Sequence, residues 1–457
     1  MTAPGIQLSA TPVLEQYIED GKLLLPFSFP FRRQPIKGLY QLYRFTKLLV
    51  ILSSTAFKYV FRGWRPRRSW TLRQTISVRL SLLSCMDFSA CPLRRLTPSM
   101  VAQVSSLRWL LDTNGAIGVA GRDHQDYTKV PLNRIKDHPN FVLIPPTPSH
   151  LVIGDISTFA DKAGVKPEVI IGYWFGKTPE EEAVKSEEVV VMNMHGGAYA
   201  ICSAHPSDIT ATIPRELLAY GNKSGTIDRI LSIEYRLSSM RPFKPSGQFP
   251  SAVLDALSGY IYLLSLGFKP QSIIFSGDSA GGNLVLAITR YLVEANHPEL
   301  PVPTGGLLLT SPWSDMSLQH NRPGGTSETN YESDYLGSML NVEHYALMAF
   351  IGIHDPREYL HNPYMSPASP FLPPGTKVFD QRWPRTIILA GGGEVLLDEI
   401  KSLRHAMLEG GVDVTWCEIE DAVHDFFLCP PFEEHSREGF EAVVEWLKAR
   451  MARTPAI

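Results

Sequence analysis

Gln271–Leu286 reads QSIIFSGDSAGGNLVL, and the reading of this stretch decides the fold. The mostly apolar Ser272–Phe275 predicts a buried strand, and Asn283–Tyr291 continues with helical spacing. Between them stands Gly277-Asp278-Ser279-Ala280-Gly281, a G-x-S-x-G pentapeptide. A chain that turns this sharply from strand into helix holds its central residue in strained geometry. A Cβ at Gly277 or Gly281 would collide with the neighbouring element. The Ser279 hydroxyl then stands clear of the sheet at the positive end of the following helix, where an oxyanion is stabilised. Such a pentapeptide arises by chance in a chain of this length roughly once in five. The case therefore rests on the strand, the helix and the partners around it.

Outward from this stretch, short apolar runs alternate with amphipathic helices from about Phe141 onward. Phe141–Ile144, Val169–Phe175, Val189–Met194, Arg229–Tyr235, Ser272–Phe275, Leu307–Thr310, Thr386–Ala390 and Val412–Glu418 read as strands. Helical stretches at Pro206–Tyr220, Phe249–Leu266, Gly282–Ala295, Leu396–Glu409 and Glu433–Arg450 separate or follow the later ones. The alternation predicts an α/β fold with a central, mostly parallel, eight-stranded sheet, helices on both faces and antiparallel pairing at its start. In such sheets, sites gather beyond the carboxyl ends of the strands. After Val189–Met194 comes His195-Gly196-Gly197-Ala198-Tyr199. Adjacent glycines bring backbone N–H groups close to a bound oxygen. Gly196 and Gly197, with Ala280 after the serine, are thus the expected oxyanion hole. As a bland alternative, Gly-Gly after a strand is a common turn signal. His195 is expected to shape the loop rather than act as a base.

His195–Tyr199, Tyr235-Arg236-Leu237 with Phe249-Pro250 and Asp255-Ala256, and G-D-S-A-G-G at Gly277–Gly282 carry a family resemblance, as does Asn362-Pro363-Tyr364-Met365-Ser366-Pro367. Together they resemble the hormone-sensitive-lipase-like branch of the α/β-hydrolases, a branch of serine esterases and lipases that includes fungal steryl-acetate deacetylases and natural-product esterases. The likeness runs from about Phe141 to Leu447. Two places depart from it. Ala198 stands where the family's loop usually has a third glycine, and its methyl narrows the space beside the hole. Ser238–Gln248 is looser than the family's compact Ala-Pro-Glu.

The resemblance implies the chain order nucleophile, acid, histidine. His424 lies in Asp421-Ala422-Val423-His424-Asp425-Phe426-Phe427, just past the last predicted strand, and resembles the family's histidine loop. The family's catalytic carboxylate opens a D-x-x-x-D-E pattern after the strand corresponding to Thr386–Ala390. By register Glu394 takes its place, with Asp398 as the alternative acid, although a carboxylate at that point is more ordinarily a first-turn helix charge. Asp278 is expected to be structural. The expected domains are a basic N-terminal extension or cap at 1–140 and a hydrolase domain at 141–457, the latter with a cap insertion at about 314–383.

The charge is uneven along the 457 residues: 1–110 hold 16 Lys/Arg against 4 Asp/Glu, while the whole chain has a formal net charge of −3. This basic front points to an anionic surface or an acidic partner. No recognition motif accompanies it, so nucleic acid is not the expected partner. Gly38–Phe61 has a longest uncharged run, Leu48–Phe57, well short of the roughly 18–20 residues that span a bilayer. Placed on a helix, Gln41, Arg44, Lys47, Ser54, Thr55 and Lys58 form a narrow polar stripe, and most of the remainder is apolar. Arg62, Arg65, Arg67 and Arg68 follow, interleaved with Trp64 and Trp70. Such a helix fits a membrane interface, or equally a cap over the core with its basic stripe in water. Five scattered cysteines without a C-x-x-C pair disfavour a disulfide framework and a zinc site. They fit an intracellular protein, here expected at the endoplasmic reticulum membrane.

Serine needs a base within reach and a group to orient that base. The expected function is cleavage of a carboxylic ester of a lipophilic substrate, such as an acetylated sterol or secondary metabolite, through an acyl-enzyme and without cofactor or metal. Amidase or formamidase chemistry, non-hydrolytic cyclisation in a natural-product pathway, and a ligand-binding scaffold like the plant gibberellin receptors remain as alternatives. Oligomeric state is not legible.

Overall fold

A computed structural model describes residues 36–85, 140–185, 187–240, 245–338, 340–356 and 361–453. The helix expected at Thr97–Leu111 and most of the linker expected at Asp112–Asn140 lie outside the described residues. In chain order the helices are α1 (Ile36–Tyr59), α2 (Leu72–Cys85), α3 (Gly154–Ala163), α4 (Thr212–Ser224), α5 (Ser251–Ser265), α6 (Ala280–Ala295), α7 (Leu340–Ile351), α8 (Leu397–Glu409) and α9 (Glu433–Arg453), beside shorter turns. The strands are β1 (Phe141–Ile144), β2 (Ile170–Phe175), β3 (Val190–Met194), β4 (Arg229–Glu234), β5 (Ile273–Asp278), β6 (Gly306–Thr310), β7 (Thr386–Gly391) and β8 (Val414–Ile419).

All eight strands form one sheet in the order β1-β2-β4-β3-β5-β6-β7-β8. β2 runs antiparallel to β1 and β4, and every other neighbouring pair is parallel. Successive side chains point to opposite faces. Accordingly Ile273 and Phe275 of β5 join one buried cluster and Ile274 joins another. The first cluster lies under α3, α5, α6 and α8, and the second under α4 and α9. Coverage on both faces is why the inner strands read as unbroken apolar runs.

α2 and α3 lie outside the helices expected from the sequence, and each carries a signal in its flanks. Thr71 and Gln74 bond reciprocally across the start of α2: Gln74 Oε1 accepts from Thr71 N at 2.7 Å, and Thr71 Oγ1 accepts from Gln74 N at 3.2 Å. This T-x-x-Q pair is a capping box. α3 ends at Gly164, whose φ of 64° is the left-handed stop that glycine supplies.

The front segment is fastened to the sheet-bearing core by the turn before α2. Trp70 is 1 % exposed, packs edge-on against Phe432 and donates Nε1–H to Asp421 O at 2.8 Å. Arg67 donates to Asn330 Oδ1 at 2.6 Å, to Gly392 O at 3.2 Å and to Asp421 Oδ1 at 3.2 Å. The same residue thus holds the loops after β7 and β8 together. Where a helix was expected at Gly38–Phe61, α1 runs from Ile36 to Tyr59, but its polar stripe does not all face water: Thr55 is buried, as is Tyr59 one turn on, and α1 packs on α2. Leu42, Tyr43, Leu49, Val50, Phe57, Val60 and Phe61 are exposed instead. No helix among the described residues is long and apolar enough to cross a membrane.

Candidate active site

β5 ends at Asp278 and α6 begins at Ala280, leaving Ser279 to make the whole turn at φ 50°, ψ −118°. This is a sparsely populated conformation for a residue with a side chain, and the surroundings enforce it. Ser279 N donates to Thr310 O of β6 at 2.9 Å, and Ser279 O accepts from Trp313 N at 2.9 Å. The collisions expected of a larger residue on either side are real. A Cβ on Gly277 would lie 2.3 Å from Gly281 O, and one on Gly281 would lie 2.0 Å from Met194 O. Close approach of the α6 start to the end of β3 places the serine beside the loop that follows β3.

That loop is tightly held. Tyr235 Oη donates to His195 O at 2.6 Å and its ring stacks on the imidazole at 4.4 Å. His195 Nδ1 lies 2.7 Å from Gly196 O, and burial pushes the imidazole down to about 4. A neutral, stacked histidine fits the loop-shaping part expected for it. The oxyanion-hole expectation needs a correction at Gly196. Its N–H donates to Asp278 Oδ2 at 3.0 Å and is therefore spent on holding the loop to the end of β5. Gly197 and Ala198, both at positive φ, face the cavity beside Ser279, and their amides make no hydrogen bond within the described protein. Ala280, expected from the sequence, has its N–H in the first turn of α6. Asp278 thus holds the loop through Oδ2, while its Oδ1 is buried without a partner among the described residues.

Of the two candidate acids, Glu394 is the one the fold brings beside His424. Glu394, 0 % exposed in the loop after β7, lies with Oε2 at 2.9 Å from His424 Nδ1. Its Oε1 accepts from Gly391 N at 2.7 Å and from Ser311 Oγ at 3.3 Å. Burial raises the Glu394 carboxyl, and the facing His424 and the Gly391 amide oppose the rise. Asp398 is elsewhere: it accepts from Thr326 N at 3.1 Å and returns its own N–H to Thr326 Oγ1 at 3.0 Å, tying the insertion to the start of α8. Ser311, unmarked by the sequence reading, bridges both loops, since its Oγ also accepts from Asp425 N at 3.2 Å.

His424 follows β8, 1 % exposed, and both its ring nitrogens face carboxylates. Nε2 is 3.1 Å from Asp425 Oδ2. Burial works against a charge on His424, but Asp425 and Glu394 together overcome it and hold its pKa well above the ordinary histidine value. Ser279 Oγ and His424 form no hydrogen bond among the described residues, yet both open into one cavity of about 130 Å³. Its walls are mostly apolar: Val78 of α2, Leu336 of the insertion, Ile201, Leu428 and Phe432. The front segment and the insertion thus each supply a wall. No cluster of metal-ligating side chains occurs among the described residues.

With this geometry in place, comparison with known proteins gives the class. A family profile described as the alpha/beta hydrolase fold matches residues 191–428, more than half of the chain. The chain belongs to that family and is hormone-sensitive-lipase-like. It is 28% identical over 258 residues to an acetyl-hydrolase of Streptomyces hygroscopicus, covering 56% of this chain and 75% of that one. It is 30% identical over 237 residues to an esterase of Acinetobacter venetianus, covering 51% and 66%. An esterase structure from the bacterial hormone-sensitive lipase family superposes with a TM-score of 0.51 at 21% identity, over 82% of this chain and 98% of that one, a likeness of fold.

Proposed function

We propose that the protein is a serine hydrolase that cleaves a carboxylic ester of a lipophilic substrate through an acyl-enzyme. The observation that carries this reading is a strained Ser279 and a Glu394-paired His424 opening into one apolar cavity. Ser279 Oγ attacks the ester carbonyl as His424 Nε2 takes its proton, and Glu394 holds the Nδ1–H and the resulting charge. The free amides of Gly197 and Ala198, with that of Ala280, receive the oxyanion; each such donor contributes roughly 10²–10³-fold in rate. The proton then goes to the departing alkoxide, and water attacks the acyl-serine by the same route in reverse. The relatives named acetyl-hydrolase and esterase support ester chemistry, and no observation favours amide cleavage or cyclisation. Ser279, His424 and an acid are all present, which argues against a disabled, purely ligand-binding scaffold.

The lipophilic part of the proposal rests on the cavity walls. Burial of apolar surface stabilises by about 0.8 kcal/mol per methylene, roughly a fourfold gain. A series of acetyl esters with progressively bulkier apolar alcohols, up to a sterol, is expected to show kcat/KM rising by up to that factor per buried carbon. Equal values across the series would contradict the substrate class, and no turnover of any ester would contradict the hydrolase.

We extend the proposal to a site of action at an anionic membrane surface, as expected of an intracellular protein at the endoplasmic reticulum. Residues 36–85 contain ten Lys/Arg and no Asp/Glu. Exposed Phe57, Val60, Phe61 and Trp64 stand beside exposed Lys58 and Arg62. Apolar groups that enter the acyl boundary beside cations that meet lipid phosphate suit an interfacial helix. Because α1 packs on α2 and α2 walls the cavity, a lipid-borne substrate would have a short path inward. The double variant Phe57→Asp/Phe61→Asp is expected to lose co-sedimentation with vesicles containing phosphatidylserine while keeping turnover of a soluble ester. Partition equal to that of the unaltered protein would overturn the membrane role.

A further inference from the structure

Directly beside His424 stands Asp425. Asp425 adopts φ 44°, ψ 46°, the left-handed region that is uncommon outside glycine and that Asn and Asp enter more readily than other residues. Its carboxylate is buried, with Oδ2 3.1 Å from His424 Nε2 and Oδ1 without a partner among the described residues. Burying a carboxylate with one oxygen unsatisfied costs stability. An uncommon torsion and desolvation therefore meet in one residue, and both lead to the nitrogen that must take the Ser279 proton.

We propose that Asp425 is a resting-state clamp, a positioning residue that occupies His424 Nε2 and holds the imidazolium away from Ser279 until the ring loses its proton. The proposal rests on the reading of His424 as the base for Ser279. With Nε2 paired to Asp425 and Nδ1 to Glu394, a protonated ring is gripped from both sides. Loss of the Nε2 proton to solvent removes the attraction to Asp425, and the freed lone pair is then available to the Ser279 hydroxyl across the same cavity. The Glu394 contact survives this change, because the neutral ring keeps its Nδ1–H. The other groups around the histidine keep the neighbourhood acidic. Asp278 at the end of β5 is held up by its burial and then by Asp425. Asp334 of the insertion is pushed by burial up to about 7, with His424 opposing the rise. The Tyr335 ring lies 6.0 Å from the imidazole, and burial raises both its phenol and the Cys429 thiol at the cavity wall. Among these, Asp425 alone combines contact with Nε2 and an unsatisfied oxygen.

The test is the pH profile of kcat/KM for a soluble ester, compared between the unaltered protein and Asp425→Asn. Asparagine keeps the size and tolerates the left-handed conformation, but it cannot hold the imidazolium by charge. The rising limb is expected to move to lower pH by about one unit or more, the range an opposite charge in contact produces. A merely structural residue would change the height of the profile and leave its midpoint in place. Superimposed midpoints overturn the proposal. Should Asp425→Asn fail to fold, Asp425→Gly takes its place, since glycine relieves the positive φ; it is expected to show the same shift and a higher melting temperature. Labelling of Ser279 by a fluorophosphonate across the same pH range separates this proposal from the one beneath it. Labelling with identical pH dependence in both proteins removes the clamp alone, and no labelling at any pH removes the hydrolase reading as well.

Discussion

Ser279→Ala is expected to lower kcat/KM for p-nitrophenyl acetate by roughly 10⁴-fold or more while leaving the fold intact. The size of the effect follows from the loss of the attacking atom: acyl transfer then falls to water acting without a positioned nucleophile. The stability of the variant is expected to stay close to that of the original protein. The Ser279 hydroxyl makes no hydrogen bond among the described residues, so alanine strands no buried polar partner there, and the φ of 50° is as demanding for alanine as for serine. Retained turnover in a folded Ser279→Ala protein would remove the proposed nucleophile. Denaturant melts of the two proteins check that any loss belongs to chemistry.

Gly281→Ala is expected to be the most damaging small substitution near the site. The added methyl would stand 2.0 Å from Met194 O and 2.7 Å from His195 O, both backbone atoms fixed by the sheet and by Tyr235. Neither can rotate away, so the strain must be relieved by moving the start of α6 from the end of β3. Overpacking of this kind costs about 1–3 kcal/mol and occasionally more. The same movement separates Ala280 from Gly197 and Ala198, so kcat is expected to fall beyond what the loss of folded protein explains. Gly63→Ala is the matched control, since nothing lies within 4 Å of the added methyl there. Equal melting behaviour of the two variants would contradict the packing argument.

The strands were legible because burial on both faces leaves an apolar signature that needs no partner to be recognised. Ile273–Asp278 and Val414–Ile419 differ from their expected bounds only by a few residues at the ends, where no hydrophobic edge marks the last ladder bond. α2 escaped because its apolar spacing is weak, whereas α3 is only 10 residues long and its Ile156, Phe159, Ala160 and Ala163 do recur at helical spacing; further evidence lay in the Thr71–Gln74 box and in Gly164. The elbow and the histidine loop were visible as local patterns, and Glu394 followed from register. The double glycine identified the right loop, but it could not show that the Gly196 amide turns to Asp278 and leaves its successors facing the cavity, because that depends on three consecutive backbone torsions. The front segment's docking was illegible for another reason. Arg67 and Trp70 meet Asp421 across some 350 residues of chain, and neither end carries a sign of the other. Asp425 stood in plain view beside His424, yet its meaning depends on a left-handed torsion that sequence alone does not announce.

The most direct test of the serine hydrolase reading is intact-mass analysis of the protein after brief exposure to a fluorophosphonate, followed by peptide mapping. One adduct on Ser279 in the original protein and none in Ser279→Ala or His424→Ala is the predicted result. Stoichiometric labelling at another residue, or equal labelling of the His424→Ala protein, would contradict it.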